Sequence, residues 1–313
     1  MNSIPPDFIV TTEHRRFAEF CDACRRYRYI GLCYGAAGVG KTLSAQYYAK
    51  WFDLQAYFRT PCPSEADVAA VAGSTTVFYT PAVVNAPSRI AQELQIARHQ
   101  LRALAIDVWV QEQAAQQKTR RQAEARMRPT KVERPAVHKG NVVQIYVAAA
   151  APSAEIAPTY AQTRLDTPDP TDLIVIDEAD RLKTASLEQM RDIFDQSELG
   201  MVLIGMPGLE KRLSRYPQLY SRVGFVHAFR PLSAAQMREL LQRKWVPSGV
   251  ALPEEGVTDE EACAAIIRVT GGNFRLLHRL LTQIARLMAI NALHTITRDV
   301  VEAARESLVI GTA

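Results

Sequence analysis

The sequence predicts an α/β fold, with a parallel sheet forming the main domain and a small helical domain following it. Three observations lead there. The runs 173–176 (LIVI) and 201–204 (MVLI) are unbroken apolar stretches, as expected of strands in a sheet covered on both faces. A further run, 29–34 (YIGLCY), ends at a glycine, and residues 41–51 just after it have helix-forming composition. Beyond Pro231 no strong strand pattern remains, and helical patterns occupy 233–245, 259–269, 273–290 and 297–307. A chain of 313 residues accommodates such a core plus one smaller domain.

Taken in order, residues 11–29 place Phe17, Phe20, Cys21 and Cys24 near helical spacing, with Thr11 or Thr12 to cap the start. A second strand is expected at 75–80 (TTVFYT) and a helix at 88–104, where Ile90, Leu94, Ile96, Leu101 and Leu104 recur. Residues 105–140 read as a polar, basic helix breaking at Pro129, 141–149 as a strand, and 151–170 as a Pro- and Ala-rich stretch. The span 105–170 is therefore expected to be an insertion. A helix at 186–196 separates LIVI from MVLI, and 225–229 is the weakest strand candidate. In the helical part, Leu277, Leu280, Leu281, Ile284, Leu287 and Met288 make one apolar face. The expected division is a lead-in at 1–28, a core at 29–230 and a helical domain at 231–313.

Composition narrows the class. At 48% hydrophobic and 22% charged, with no apolar run long enough to span a bilayer, the chain reads as a soluble globular protein, and its N-terminus lacks an apolar export signal. A cytoplasmic location is the expectation. Five cysteines at 21, 24, 33, 62 and 263 have no regular spacing, which argues against a disulfide framework; Cys21 and Cys24 form a CxxC without a second ligand pair for zinc. The net charge of +4 is modest, but eight basic residues between Lys118 and Lys139 face only Glu124 and Glu133.

The chemistry begins at Gly35-Ala36-Ala37-Gly38-Val39-Gly40-Lys41-Thr42, a full match to G-x4-G-K-[ST] between a strand and a helix. Such a loop turns backbone N–H groups onto a β-phosphate, adds a helix N-terminus, sets Lys41 against the β/γ oxygens and places the Thr42 hydroxyl on Mg²⁺. ATP with Mg²⁺ is the expected ligand. Asp177 and Glu178 end the LIVI strand, on the sheet edge where ligands meet such folds. Asp177 is expected to hold the metal, and Glu178 to polarise the attacking water as general base.

With GAAGVGKT, LIVIDEAD, YPQLYSRV and GGNFR in this order, the sequence resembles the AAA+ ATPases over most of 11–307. The resemblance implies a P-loop NTPase core with a C-terminal helical lid, and an oligomer. Arg222 matches the arginine finger that enters a neighbouring subunit's site, with Arg212 and Arg215 as rivals, and Arg275 matches the second sensor of the lid. One departure stands out. The first sensor requires a polar residue where MVLI ends, and Gly205-Met206-Pro207 supplies none.

The runs LIGMPGLEKRLSRYPQLYSRVGFVHAFRPLS and TGGNFRLLHRLLTQIARL are similar to the transposition ATPases of the TniB, TnsC and MuB type. That resemblance implies an ATP-dependent regulator that assembles on double-stranded DNA as a homo-oligomeric ring or helical filament. It would direct a transposase, with a target-selection adaptor as a further partner. Lys118, Arg120, Arg121, Arg126 and Arg128 are the candidate DNA contacts, because coating DNA requires cations facing phosphates more than base reading. Other AAA+ roles, replication initiation or secretion, and a nucleotide-dependent scaffold are the competing readings.

Overall fold

The computed structural model describes residues 8–127, 136–138, 141–143, 167–247, 249–253, 256–257 and 259–308, with backbone alone for 124–127 and for the two short segments after them. Helix α1 (Thr12–Tyr27) is capped by Thr11, whose side chain accepts from the His14 N–H at 3.0 Å. Strand β1 (Ile30–Tyr34) follows, then α2 (Lys41–Tyr48), α3 (Trp51–Arg59), α4 (Glu65–Val71), β2 (Thr76–Tyr79) and α5 (Pro87–Met127). A short antiparallel pair, β3 (Ala136–His138) and β4 (Asn141–Val143), leads on to β5 (Leu173–Ile176). After a 3-10 turn at Ala179–Arg181 come α6 (Thr184–Asp195), β6 (Gly200–Gly205), α7 (Leu209–Leu213), α8 (Pro217–Tyr220) and β7 (Val223–Ala228). The chain closes with α9 (Ala234–Gln242), α10 (Glu260–Thr270), α11 (Phe274–Ile290) and α12 (Arg298–Glu306).

The main sheet has the order β2-β5-β6-β1-β7, and every neighbouring pair is parallel. Apolar runs work as its central strands because successive side chains serve opposite layers. Ile30 and Leu32, Ile174 and Ile176, and Met201 and Leu203 join the layer beneath α5 and α6, with Ile90, Leu94 and Leu187. Cys33, Leu173, Val175, Val202 and Ile204 join the layer under α1, with Phe17, Phe20, Cys21 and Cys24. Cys21 and Cys24 are thus buried packing groups, and burial pushes the Cys24 thiol up to about 12.

Edge strand β7 alternates half-buried and exposed residues, which is why 225–229 gave only a faint signal. The helical domain encloses its own core of Met237, Ile266, Leu277, Leu281, Ile284 and Val301. Among the described residues no helix is long and apolar enough to cross a membrane.

Two expectations need correction. Residue 105 begins no separate helix: α5 continues unbroken from Pro87 to Met127, and Ile106 is as buried as Leu104. The Tyr57 hydroxyl donates to Asp107 at 2.8 Å, so the middle of α5 is fastened to the core as its first half is. Of the strand expected at 141–149, only 141–143 lies within the described residues, and it pairs with 136–138. Helices α3 and α4, in a stretch the sequence left unread, fill the space beside β2; Ser64 closes a capping box with Asp67 there.

Helix α1 lies so close to β6 that a Cβ on Gly200 would sit 2.5 Å from the Cys24 carbonyl oxygen. Gly200→Ala is therefore expected to destabilise the fold by about 1–3 kcal/mol through overpacking, read as a lower urea midpoint with an unchanged m-value.

Candidate nucleotide site

The carboxyl ends of β1, β5 and β6 open on one cavity of about 610 Å³. Its floor is the glycine loop. Gly40 caps α2, and the Lys41 ammonium lies on the loop's carbonyls, donating to Gly35 O at 2.6 Å and Ala36 O at 2.8 Å. Burial lowers the Lys41 pKa, with Cys33, Asp177 and Asp180 opposing and Arg275 adding to the lowering.

Asp177 is only 3% exposed. Burial raises its pKa despite a hydrogen bond from the Thr42 side chain and another from the Glu178 N–H, at 2.9 Å to Oδ1. A hydroxyl and a carboxylate joined in this way form an all-oxygen donor pair of the kind magnesium takes beside a polyphosphate, so the residues present fit the ion. Glu178 follows in the left-handed region at φ 52°, a conformation costing a non-glycine residue about 1–2 kcal/mol. Its Oε2 pairs with Arg181 Nη2 at 2.8 Å.

The lid meets the loop directly. Asn273 caps α11 by accepting from the N–H groups of Arg275 (3.0 Å) and Leu276 (3.2 Å), while its own Nδ2 donates to Ala37 O at 2.7 Å. The Arg275 N–H also donates to Gly38 O at 3.2 Å. Gly38 has φ +81°, and a Cβ there would fall 2.5 Å from Asn273 Oδ1, so both its backbone conformation and the lid contact require glycine. Asn273 thus caps the helix, and Arg275 nonetheless lines the cavity. Phe8, Ile9, Leu232, Trp245 and Phe274 make an apolar end suited to a planar base.

A polar group does stand where β6 ends, and it comes from another segment. Asp180 Oδ2 accepts from the Met206 N–H at 2.7 Å, and a Cβ on Gly205 would lie 2.4 Å from that oxygen. Gly205 leaves room for a carboxylate delivered by the turn after β5. Arg212 braces that turn, donating to the carbonyls of Asp180 (2.6 Å) and Leu182. No reading of 205–207 alone could have found Asp180, because the contact joins two chain segments 26 positions apart.

The remaining expected residues lie away from the cavity. Arg222 precedes β7 at the opposite end of the sheet, where its carbonyl accepts from the Ile30 N–H at 3.0 Å. One strand length, about 16 Å, separates it from its own glycine loop. Its guanidinium forks onto Asp195, with Nη2 to Oδ2 at 2.7 Å, and also donates to Gln218 O. Arg215 is exposed. Lys118, Arg120 and Arg121 are exposed on the outer part of α5; Arg126 belongs to that helix by its backbone, and Arg128 lies outside the described residues.

The profile of a family described as AAA domain matches residues 24–213. A Staphylococcus aureus protein described as a potential ATP-binding protein is 39% identical over 311 residues, covering 97% of each chain. Among solved structures, the Thermotoga maritima RuvB Holliday junction branch migration motor superposes with a TM-score of 0.51 at 15% identity, over 96% of this chain and 70% of that one. The Aeropyrum pernix ORC1 protein in complex with DNA also gives 0.51, at 18% identity over 96% and 66%. At such identities these two likenesses concern the fold.

The raised pKa of Asp177 has a testable sign. Ionising a carboxyl whose folded pKa lies above its unfolded value costs stability once the pH exceeds the unfolded pKa. Asp177→Asn is thus expected to raise Tm at pH 7.5 by a few degrees, a gain that shrinks as the pH falls toward 4, while Mg²⁺-dependent ATP turnover is lost. Scanning calorimetry across that range, beside a phosphate-release assay, checks both halves.

Proposed function

The chain belongs to the AAA domain family, and on that premise we propose that it is an ATP-hydrolysing switch that assembles on double-stranded DNA and directs a transposase to its target. The observation that carries the ATPase part is the convergence of Lys41, Thr42, Asp177, Glu178 and Arg275 on one cavity with an apolar end. In this reading the loop from Gly35 to Thr42 wraps the phosphates. Lys41 leaves the carbonyls of Gly35 and Ala36 for the β/γ oxygens, a short swing between partners of like character. Thr42 and Asp177 hold magnesium, which when bound neutralises charge on the phosphate oxygens. Glu178 takes a proton from the attacking water, and Asp180 offers it a second acceptor near the end of β6. Arg275 reads the γ-phosphate from the lid, and its neighbour Asn273 transmits the state of the loop to α11.

Arg222 completes the site of an adjacent subunit in a ring or helical filament. Its distance from its own loop supports this, since it can serve only in trans. Asp195 holds the guanidinium until a neighbour's nucleotide competes for it. Mixing Arg222→Ala with Glu178→Gln subunits is expected to restore turnover, because some interfaces then combine an intact glutamate with an intact finger. Absence of rescue at every mixing ratio counts against the role.

The transposition part is supported by the resemblance of residues 203–233 and 270–287 to the TniB, TnsC and MuB type, and by the exposed cations on α5. A target-selection adaptor is the further partner in this reading. Replacing Lys118, Arg120, Arg121, Arg126 and Arg128 with Gln is expected to weaken duplex binding and flatten its dependence on salt concentration, as fewer counterions are released. An unchanged slope in a salt titration would place the DNA contact elsewhere.

A further inference from the structure

We propose that Glu13 selects the base: its carboxylate accepts from the 6-amino group of adenine and turns away purines that carry an oxygen there, an inference that rests on nucleotide binding in this cavity. Among the described residues two carboxylates are buried, Asp177 and Glu13, at 3% and 7% exposure, and both line the cavity. Asp177 is claimed by the magnesium site. Glu13 belongs to the apolar end. Its neighbour His14 packs edge-on against Phe8, with ring centroids 4.9 Å apart, and its Oε1 accepts from the N–H of Arg230, two residues before Leu232.

The walls of this end do not tell one purine from another. Phe8, stacked on Tyr47 at 4.1 Å between centroids, and the lid's Trp245 and Phe274, set edge to face at 6.3 Å, present apolar surface to any planar base. Discrimination falls to a polar group, and an ionised carboxylate can only accept. Adenine brings it a donor in the 6-amino group. Guanine and hypoxanthine bring a carbonyl oxygen to the same place, which leaves a buried charge unpaired beside a second oxygen.

The two oxygens of Glu13 are unequally engaged. Oε1 takes the Arg230 N–H at 3.1 Å and has His227 Nε2 3.2 Å away. Oε2 accepts no hydrogen bond from the described residues, and the solvated Arg16 Nη1 stands 3.7 Å from it, beyond hydrogen-bond range. One free oxygen suits one amino group. Reading guanine by its N1–H and 2-amino donors takes both oxygens of a carboxylate side by side, and here one is occupied. Tethering the Arg230 N–H does not itself require a charge, because a glutamine would supply the same acceptor without burying one.

The test measures, by titration calorimetry with Mg²⁺, the binding of ATP, GTP and purine riboside triphosphate, which lacks the 6-amino group. The full chain carries Glu178→Gln to suppress turnover, alone and with Glu13→Ala, Glu13→Gln or Lys41→Ala, and Tm is recorded for each. With Glu13 intact, ATP is expected to bind about 10- to 100-fold more tightly than the purine analogue, the range of a hydrogen bond to a charged group, and GTP more weakly still. Glu13→Ala should bring ATP down to the analogue while the analogue itself stays within about twofold, so that the difference between the two ligands closes. Glu13→Gln keeps an acceptor for the Arg230 N–H and adds an amide donor for the guanine oxygen, so the preference for ATP over GTP should fall about tenfold.

Equal affinity for ATP and the analogue with Glu13 intact overturns the proposal, as does a difference between them that survives Glu13→Ala. Tighter binding of GTP than of ATP with Glu13 intact also overturns it. If Glu13→Ala melts early, Glu13→Gln decides: an unchanged ATP-to-GTP ratio at unchanged Tm refutes the role. If no nucleotide binds, or if Lys41→Ala binds ATP as tightly as the parent chain, the nucleotide reading of the cavity has failed. If Lys41→Ala loses ATP while the Glu13 variants keep full discrimination, only the base reader is refuted.

Discussion

Parallel register is the constraint on which the rest of this molecule depends. Strand β6 lies between β1 and β5, pairing Tyr34 with Gly205 on one side and Ile176 with Leu203 on the other. The glycine loop and Asp177 therefore emerge from the same sheet edge two strand spacings apart, about 9.5 Å. A hydroxyl one residue into α2 then meets a carboxylate one residue beyond β5. A slip of one residue in either pairing would turn Asp177 to the other face and separate it from Thr42. Burial of the three central strands in apolar layers, complete but for Tyr34 at the end of β1, resists such a slip, so packing energy and site geometry have the same origin.

The second structural dependence is between loop and lid. Asn273 serves two masters, capping α11 with its oxygen and binding Ala37 with its nitrogen. A helix cap can be rebuilt by water, but a cap that is also a strut ties the orientation of α11 to the shape of the phosphate loop. Gly38 belongs to the same joint, because any side chain there would displace the asparagine. The helical domain has a separate core and meets the sheet domain along this seam.

Around the cavity the charges are arranged by competition. Burial works against ionisation at both Asp177 and Lys41, and each charge helps the other. Glu178, one residue on, stands on the solvent side in a strained conformation, bound to Arg181. Asp180, two residues further, fills the space Gly205 leaves open. Three acidic residues within four positions thus meet three different environments, and the turn at Ala179–Arg181 separates them.

Much was legible in the sequence because the relevant signals are local. Unbroken apolar runs mark strands covered on both faces, the G-x4-G-K-T spacing reports a loop that only certain backbone conformations can form, and helical periodicity located α9 to α12 within a few residues. Edge strand β7 was faint because it alternates half-buried and exposed residues and buries none fully, and α3 and α4 escaped because short helices carry little periodicity. Helix α5 was legible as helix on both sides of residue 105 but read as two helices, because the polar outer half does not continue the apolar stripe of the first. Local patterns alone thus specify the α/β core, the helical lid and the phosphate loop, each encoded in neighbouring residues. It takes the folded chain to place Asp180 at the end of β6, to join lid to loop through Asn273, to turn Arg222 away from its own site and to pair Arg181 with Glu178. Apart from the turn that brings Arg181 to Glu178, these depend on contacts between distant segments, and the distances there are set by packing rather than by residue spacing.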